Sequence, residues 1–342
     1  MALMHGGNLA YIQQLYSDFD GEWLDLSTGV SPFAYPVLQP DLSAVNRLPD
    51  QTERLEQHAC QYYGAKQLLM TPGSMWSIKH LPALLSHKVK QTKSVLVPLR
   101  GFSEHELSWV AAGMKIEHYD QCPTQKQLQY ADVCVVINPN NPSGYLMTEG
   151  EILELLEYTD KAGCLLIVDE AFMDAIPERS VLQYLNGHWL DHLVVLKSFG
   201  KFFGQPGLRL GSLVANEDIL DRARSMLGPW GVNSLAQAVA VRAFKDVQWQ
   251  QQARKDIHRM SGLLSTFLND LKMIAQPREL FVTCFFDQAE HCWQSLCRKG
   301  VYTRLLDDAS GIRIGLPKDT EDLTRLKNAM YEFNDKILKV AS

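Results

Sequence analysis

Four short, largely apolar runs limit the folds open to this chain more than any other feature: Ser94-Val-Leu-Val-Pro98, Ala131-Asp-Val-Cys-Val-Val-Ile137, Cys164-Leu-Leu-Ile-Val168 and Leu193-Val-Val-Leu196. A strand without alternation belongs inside a parallel sheet whose two faces are both covered by helices. The intervening residues agree. Asn138-Pro-Asn-Asn-Pro-Ser-Gly144 is turn chemistry, Thr148-Glu-Gly-Glu151 fits a capping box, Ile152, Leu155 and Leu156 follow a helical period, and Gly163 can close that helix. Gln67-Leu-Leu-Met70 reads as a further short strand leading into Thr71-Pro-Gly-Ser-Met75. Strand and helix patterns alternate in this way to about residue 215, which predicts a large, doubly wound, mostly parallel α/β domain. Beyond it come helical stretches around 217–229 and 233–272, a strand over Leu280–Phe286 and a β-rich patch from Gly300 to Leu316, the texture of a smaller α+β domain. The expected division is an N-terminal arm over 1–40, a large domain over 41–216 and a small C-terminal domain with its connecting helix over 217–342. With 342 residues, 46% of them hydrophobic, the chain has enough apolar surface for two cores.

In open α/β sheets, ligands sit at the carboxyl ends of the strands, and chemistry-bearing residues collect there in this sequence. The strand at 193–196 runs into Ser198-Phe-Gly-Lys-Phe-Phe-Gly-Gln-Pro-Gly-Leu-Arg-Leu-Gly211. A lysine amine forms an imine readily only where burial or a neighbouring cation lowers its pKa, and Arg209 can supply such a charge to Lys201 while gripping a phosphate. Ser198 adds a hydroxyl donor, and the glycines permit close backbone approach. A nucleotide-binding P-loop is excluded because Phe202 follows Lys201 where that motif needs Ser or Thr. Asp169 ends the strand at 164–168; an isolated aspartate there is equally a helix cap. Gly73, Ser74 and Met75 form a glycine turn at a helix start, a place where backbone amides meet anions and also an ordinary strand-to-helix turn.

In their order and spacing these segments resemble the pyridoxal-phosphate enzymes of the aspartate aminotransferase superfamily, the class I and II aminotransferases. The resemblance implies the fold type I architecture of pyridoxal-5'-phosphate-dependent transferases. It also implies Lys201 as the catalytic lysine that carries the cofactor, and Asp169 as partner of the ring nitrogen. Asn141 becomes the donor to the ring hydroxyl, Phe102 the stacking aromatic, and Gly73, Ser74, Met75, Ser198 and Arg209 the phosphate ligands. Two positions depart from the pattern: Ser143 stands where Thr is usual, and Phe172 where many relatives have a Tyr that touches the ring hydroxyl.

The arm narrows the resemblance. His5-Gly-Gly-Asn8 and Leu24-Asp-Leu-Ser-Thr-Gly-Val-Ser-Pro32 are similar to the opening of threonine-phosphate decarboxylases, relatives of histidinol-phosphate aminotransferase. The implied reaction converts L-threonine O-3-phosphate to (R)-1-amino-2-propanol O-2-phosphate and carbon dioxide, in cobalamin biosynthesis. His5, Gly6, Asn8, Thr28, Gly29 and Arg304 are the implied substrate ligands, with Arg313 in Gly311-Ile-Arg-Ile-Gly315 as the carboxylate-gripping arginine. Alternation places Ile312 and Ile314 on one face and Arg313 on the other. Leu48-Pro-Asp50 replaces a Tyr-Pro-Asp whose tyrosine, in relatives, reaches the cofactor phosphate of a neighbouring subunit; a homodimer is still expected. The alternative is a histidinol-phosphate aminotransferase, and a third reading is a non-catalytic pyridoxal-binding regulatory protein, for which no basic helix-turn-helix precedes the fold.

A net charge of −6, from 33 basic and 39 acidic residues without a polybasic run, excludes nucleic acid and anionic membranes as expected partners. No apolar run approaches the roughly 20 residues of a membrane span, and the first residues lack a signal pattern, so the expected location is cytoplasmic. The seven cysteines lack a Cys-x-x-Cys pair and suit reduced core thiols. His188 and His192 share i,i+4 spacing without the glutamate that a zinc helix carries between its histidines, and no metal site is expected.

Overall fold

The computed structural model describes residues 6–37, 46–49, 52–89, 94–185 and 191–340 of the chain. It divides into two compact units, one of Ala34–Gln252 and one of Met1–Phe33 together with Ala253–Ser342. The helices Glu217–Leu227 and Ser234–Lys245 lie within the larger unit.

The larger unit is built on a seven-stranded sheet. Its spatial order is Leu69–Thr71, Gly211–Val214, Leu193–Ser198, Leu165–Asp169, Ala131–Ile137, Ser94–Pro98 and Lys115–Tyr119. Every pairing is parallel except the two made by Gly211–Val214, which runs against both its neighbours. The central strands are buried along their whole length, as uniformly apolar sequence demands. Ile78, Leu81 and Leu84 of helix Ser74–Leu84 are buried in one core cluster with Val95, Val133, Ile167 and Val194 of the sheet. Each such aliphatic side chain stabilises the fold by about 1.5–3 kcal/mol through burial.

The capping box at 148–151 forms as the sequence predicts, and Gly163 closes helix Glu149–Ala162 in the left-handed region at φ +63°. The helical stretch expected over 233–272 is interrupted. Asp246 leaves the helical conformation and its Oδ1 accepts the Trp249 N–H, so helix Ser234–Lys245 ends and helix Val247–Asp270 begins.

In the smaller unit, an antiparallel four-stranded sheet has the order Arg304–Leu305, Gly311–Gly315, Phe281–Phe285 and Ile274–Arg278. The arm contributes directly: Leu24–Asp25 pairs in parallel with Val301–Tyr302, residues far away along the chain. No helix among the described residues is long and apolar enough to cross a membrane.

Candidate active site

Along the carboxyl edge of the seven-stranded sheet lies a cleft of ≈ 680 Å³, part of it open to solvent. Most of its walls are the last residue of a strand or the turn that follows it. Strand Leu69–Thr71 delivers Gly73, Ser74 and Met75; strand Ala131–Ile137 delivers Asn141; strand Leu165–Asp169 delivers Asp169 and Phe172; and strand Leu193–Ser198 delivers Ser198 and Lys201. Phe102 lines the cleft from the turn after Ser94–Pro98, while also packing against the core. Arg209 comes from the segment leading into the antiparallel strand. The nine residues that the resemblance assigns to the cofactor, and Phe172 in place of the family's tyrosine, therefore line one cavity.

Asp169 is 3% exposed, and both its oxygens are held. Oδ1 accepts the Ala171 N–H at 2.9 Å, the local cap-like bond that an aspartate after a strand commonly makes. Oδ2 lies 2.9 Å from His105 Nε2, itself 1% exposed. The two readings of this aspartate are thus compatible: one oxygen shapes the turn while the carboxylate stays aimed into the cleft. His105 Nδ1 is buried without a hydrogen-bond partner.

At the other end, helix Ser74–Leu84 starts on Gly73, whose φ of +86° suits glycine and whose missing side chain leaves no internal cap on the first amides. A Cβ at Gly73 would lie 2.8 Å from Arg209 Nη2, so the guanidinium rests directly on this turn. Arg209 adopts φ +54° and donates from Nη1 to Pro206 O at 3.0 Å. A left-handed conformation is costly for arginine, and it occurs here beside an anion-ready helix start. Gly211 permits a second close approach, since a Cβ there would sit 2.6 Å from Ser74 N.

Lys201 occupies a one-turn helix, Phe199–Phe202, between the two ends. The turn is anchored from behind. Phe199, Phe202 and Phe203 are fully buried, with Phe199 stacked on Phe203 at 4.3 Å and Phe203 stacked on Trp249 at 5.5 Å. Half-buried Lys201 points its Nζ to 5.5 Å from the centre of the Phe172 ring. The residue that replaces the family's tyrosine is thus a neighbour of the amine. Chemically, the cleft combines an amine, a buried carboxylate 32 residues earlier in the chain and a cationic, amide-rich turn, a set suited to a flat, phosphorylated, electron-accepting carbonyl compound.

The residues assigned to substrate fall in the smaller unit. Arg313 is 7% exposed and donates from Nη2 to Ser27 O at 2.6 Å. Burial, with the Arg304 cation nearby, pulls its pKa down to about 10. Such a guanidinium gains from an anionic ligand. Arg304 is Arg313's cross-strand partner and is ion-paired to Asp307 at 2.6 Å. Gly6 packs so tightly on Ser27 that a Cβ would lie 2.2 Å from its carbonyl oxygen, and Gly7 N–H donates to Ser27 Oγ at 2.8 Å. Thr28 and Gly29 continue that segment, with Thr28 O close to Gly315; Asn8 caps helix Leu9–Leu15 without a side-chain bond and is exposed. His5 and Asp50 lie outside the described residues, as does His188; Leu48 is 65% exposed.

Sequence reasoning missed His105, which pairs with Asp169 across 64 residues, and the buried pair Glu170–Lys197. Nothing local in the sequence marks the first; charges beside Asp169 and Ser198, next to or inside apolar strands, were the signal for the second. Among the described residues no cluster of three His, Cys, Asp or Glu side chains is arranged to hold a metal ion.

The family profile "Aminotransferase class I and II" matches residues 38–329. The chain is 34% identical to a threonine-phosphate decarboxylase from Pseudomonas aeruginosa over 97% of its length and 98% of that protein's. It is 31% identical to one from a Sinorhizobium species, over 96% and 97% of the two lengths. Among solved structures, the L-threonine-O-3-phosphate decarboxylase from Porphyromonas gingivalis superposes with a TM-score of 0.75 at 20% identity, covering 91% of this chain and 99% of that one, a likeness of fold.

Proposed function

Because the chain belongs to the class I and II aminotransferase family, we propose that it is a pyridoxal-5'-phosphate-dependent threonine-phosphate decarboxylase. It takes L-threonine O-3-phosphate to (R)-1-amino-2-propanol O-2-phosphate and carbon dioxide, a step in cobalamin biosynthesis. The observation that carries this choice is the near full-length similarity to two decarboxylases of that name.

The residues of the cleft fit the cofactor. The glycine at 73 leaves a cradle that any Cβ would fill, Arg209 lies across it, and Asp169 supplies a buried anion 2.9 Å from a histidine nitrogen. When bound, this cofactor supplies an electron-accepting ring that stabilises the carbanion left by a departing carboxylate. Lys201 Nζ would be the attachment point, and its amine is the group that would return a proton to the α-carbon. Asp169 keeps a proton on the ring nitrogen, and His105 Nε2 with the Ala171 amide prevents its carboxylate from turning away. Ser198, Arg209 and the first amides of helix Ser74–Leu84 hold the cofactor phosphate. Asn141 would donate to the ring hydroxyl and Phe102 would cover the ring. Arg313 takes the substrate carboxylate, while Arg304, the Thr28-Gly29 segment, Gly6, His5 and Asn8 meet its phosphate.

The test is release of carbon dioxide from L-threonine O-3-phosphate with no oxo acid present, and a loss of at least roughly 10³-fold in Lys201→Ala. Amino transfer from histidinol phosphate to 2-oxoglutarate by the wild-type protein, without decarboxylation, would overturn the proposal in favour of an aminotransferase. We further place the enzyme in the cytoplasm as a homodimer; light scattering should give twice the 38.7 kDa of one chain, and a monomer would refute the assembly.

A further inference from the structure

Asp169 and Ser198 face the cleft, and because side chains alternate along a strand, the next residue after Asp169 and the one before Ser198 face the rear of the sheet. Those residues are Glu170 and Lys197. They form an ion pair with side chains 0% and 3% exposed. The carboxylate is fully engaged: Ser180 Oγ donates to Oε2 at 2.6 Å and the Val181 N–H donates to Oε1 at 2.7 Å. Lys197 Nζ also donates to Ser180 Oγ at 3.2 Å and lies 5.1 Å from the centre of the Tyr63 ring.

A buried ion pair gives up hydration on both charges, so it adds little net stability compared with apolar side chains of the same size. What it supplies is a fixed distance. The Glu170 N–H bonds to Leu196 O at 2.9 Å, which extends the ladder between the two strands one step past Asp169, and the ion pair locks that last step from behind. We infer that Glu170 and Lys197 are positioning residues, a rear clamp that sets where Asp169 and Ser198 stand in the cleft. The inference rests on the cleft being the pyridoxal-phosphate site, since only then does their separation govern binding of a ring and its phosphate.

The clamp is tested with E170Q/K197M. Lys197→Met alone leaves a buried carboxylate without its counter-charge, whereas the double variant removes both charges and keeps a glutamine oxygen to accept from Val181. Two readouts are taken on the full chain. The first is the dissociation constant of pyridoxal 5'-phosphate, followed by absorbance. The second is amide exchange in cofactor-free protein at Glu170 and Phe199, whose N–H groups bond to Leu196 O and Leu210 O, against the mid-strand amide of Val195. The clamp predicts a folded protein with cofactor affinity at least tenfold weaker and with the two strand-end amides exchanging at least tenfold faster while Val195 is unchanged. Native affinity within twofold, or uniform acceleration at all three amides, overturns it. Failure of the wild-type protein to take up the cofactor would instead refute the assignment of the cleft, and the exchange measurement would still decide the clamp.

Discussion

A methyl group added at position 73 meets two penalties at once. It would occupy a φ of +86° and lie 2.8 Å from Arg209 Nη2. The second is relieved by swinging the flexible guanidinium aside, so the damage passes from the fold to the anion site. Gly73→Ala should cost about 1–2 kcal/mol of stability in denaturant titration and weaken pyridoxal-phosphate binding at least tenfold, and equal affinity in the two proteins would contradict the assignment of Arg209. Residues of this kind were legible from sequence because turn glycines, a lysine and an arginine at strand ends have few other uses in such an order. His105 was not. Its partner is 64 residues away, and nothing in its own helix distinguishes it from a histidine that merely fills space.

At the scale of elements, local rules predicted most where the local chemistry was complete. Thr148 and Glu151 satisfy one another's backbone amides, and Thr148→Ala should lower stability by about 0.5–2 kcal/mol while decarboxylation stays within twofold of wild type. A large activity loss would mean that helix Glu149–Ala162 positions Asn141 more tightly than its cap alone requires. Strand Lys115–Tyr119 escaped the sequence reading for the opposite reason. It is an edge of the sheet, Tyr119 alone of its residues is buried, and a polar edge carries none of the apolar signal that marked the interior strands. The break at Asp246 escaped because a helical period continues across it; what separates the two helices is the turn of the backbone at Asp246, held by side-chain bonds from Asp246 to the Trp249 N–H and from Gln250 to Ala243 O and Phe244 O.

At the scale of the whole chain, burial of thiols makes stability depend on alkaline pH. Burial pushes Cys284, Cys292 and Cys297 up to about 12, against 9.0 for an ordinary thiol. Their raised values mean that the folded form keeps protons the unfolded form gives up. The contribution is complete below pH 9 and fades as pH climbs towards 12, by at most about 1.4 kcal/mol per thiol per pH unit. Urea titrations followed through buried Trp293 should show the midpoint falling between pH 8 and 11, and a flat midpoint would refute the account. Periodicity says what a segment becomes; it does not say that Leu24 will find Val301.

That pairing has a consequence for how the protein is made. A ribosome delivers residues in order, and the strand at Leu24–Asp25 leaves it long before its mate at Val301–Tyr302. The arm must wait through the synthesis of nearly the entire polypeptide, while the larger unit, whose segments are contiguous, can condense behind it. The bond from Arg313 to Ser27 O likewise joins the last-made part of the chain to the first, so a nascent chain that ends before residue 301 lacks both of these partners for its arm.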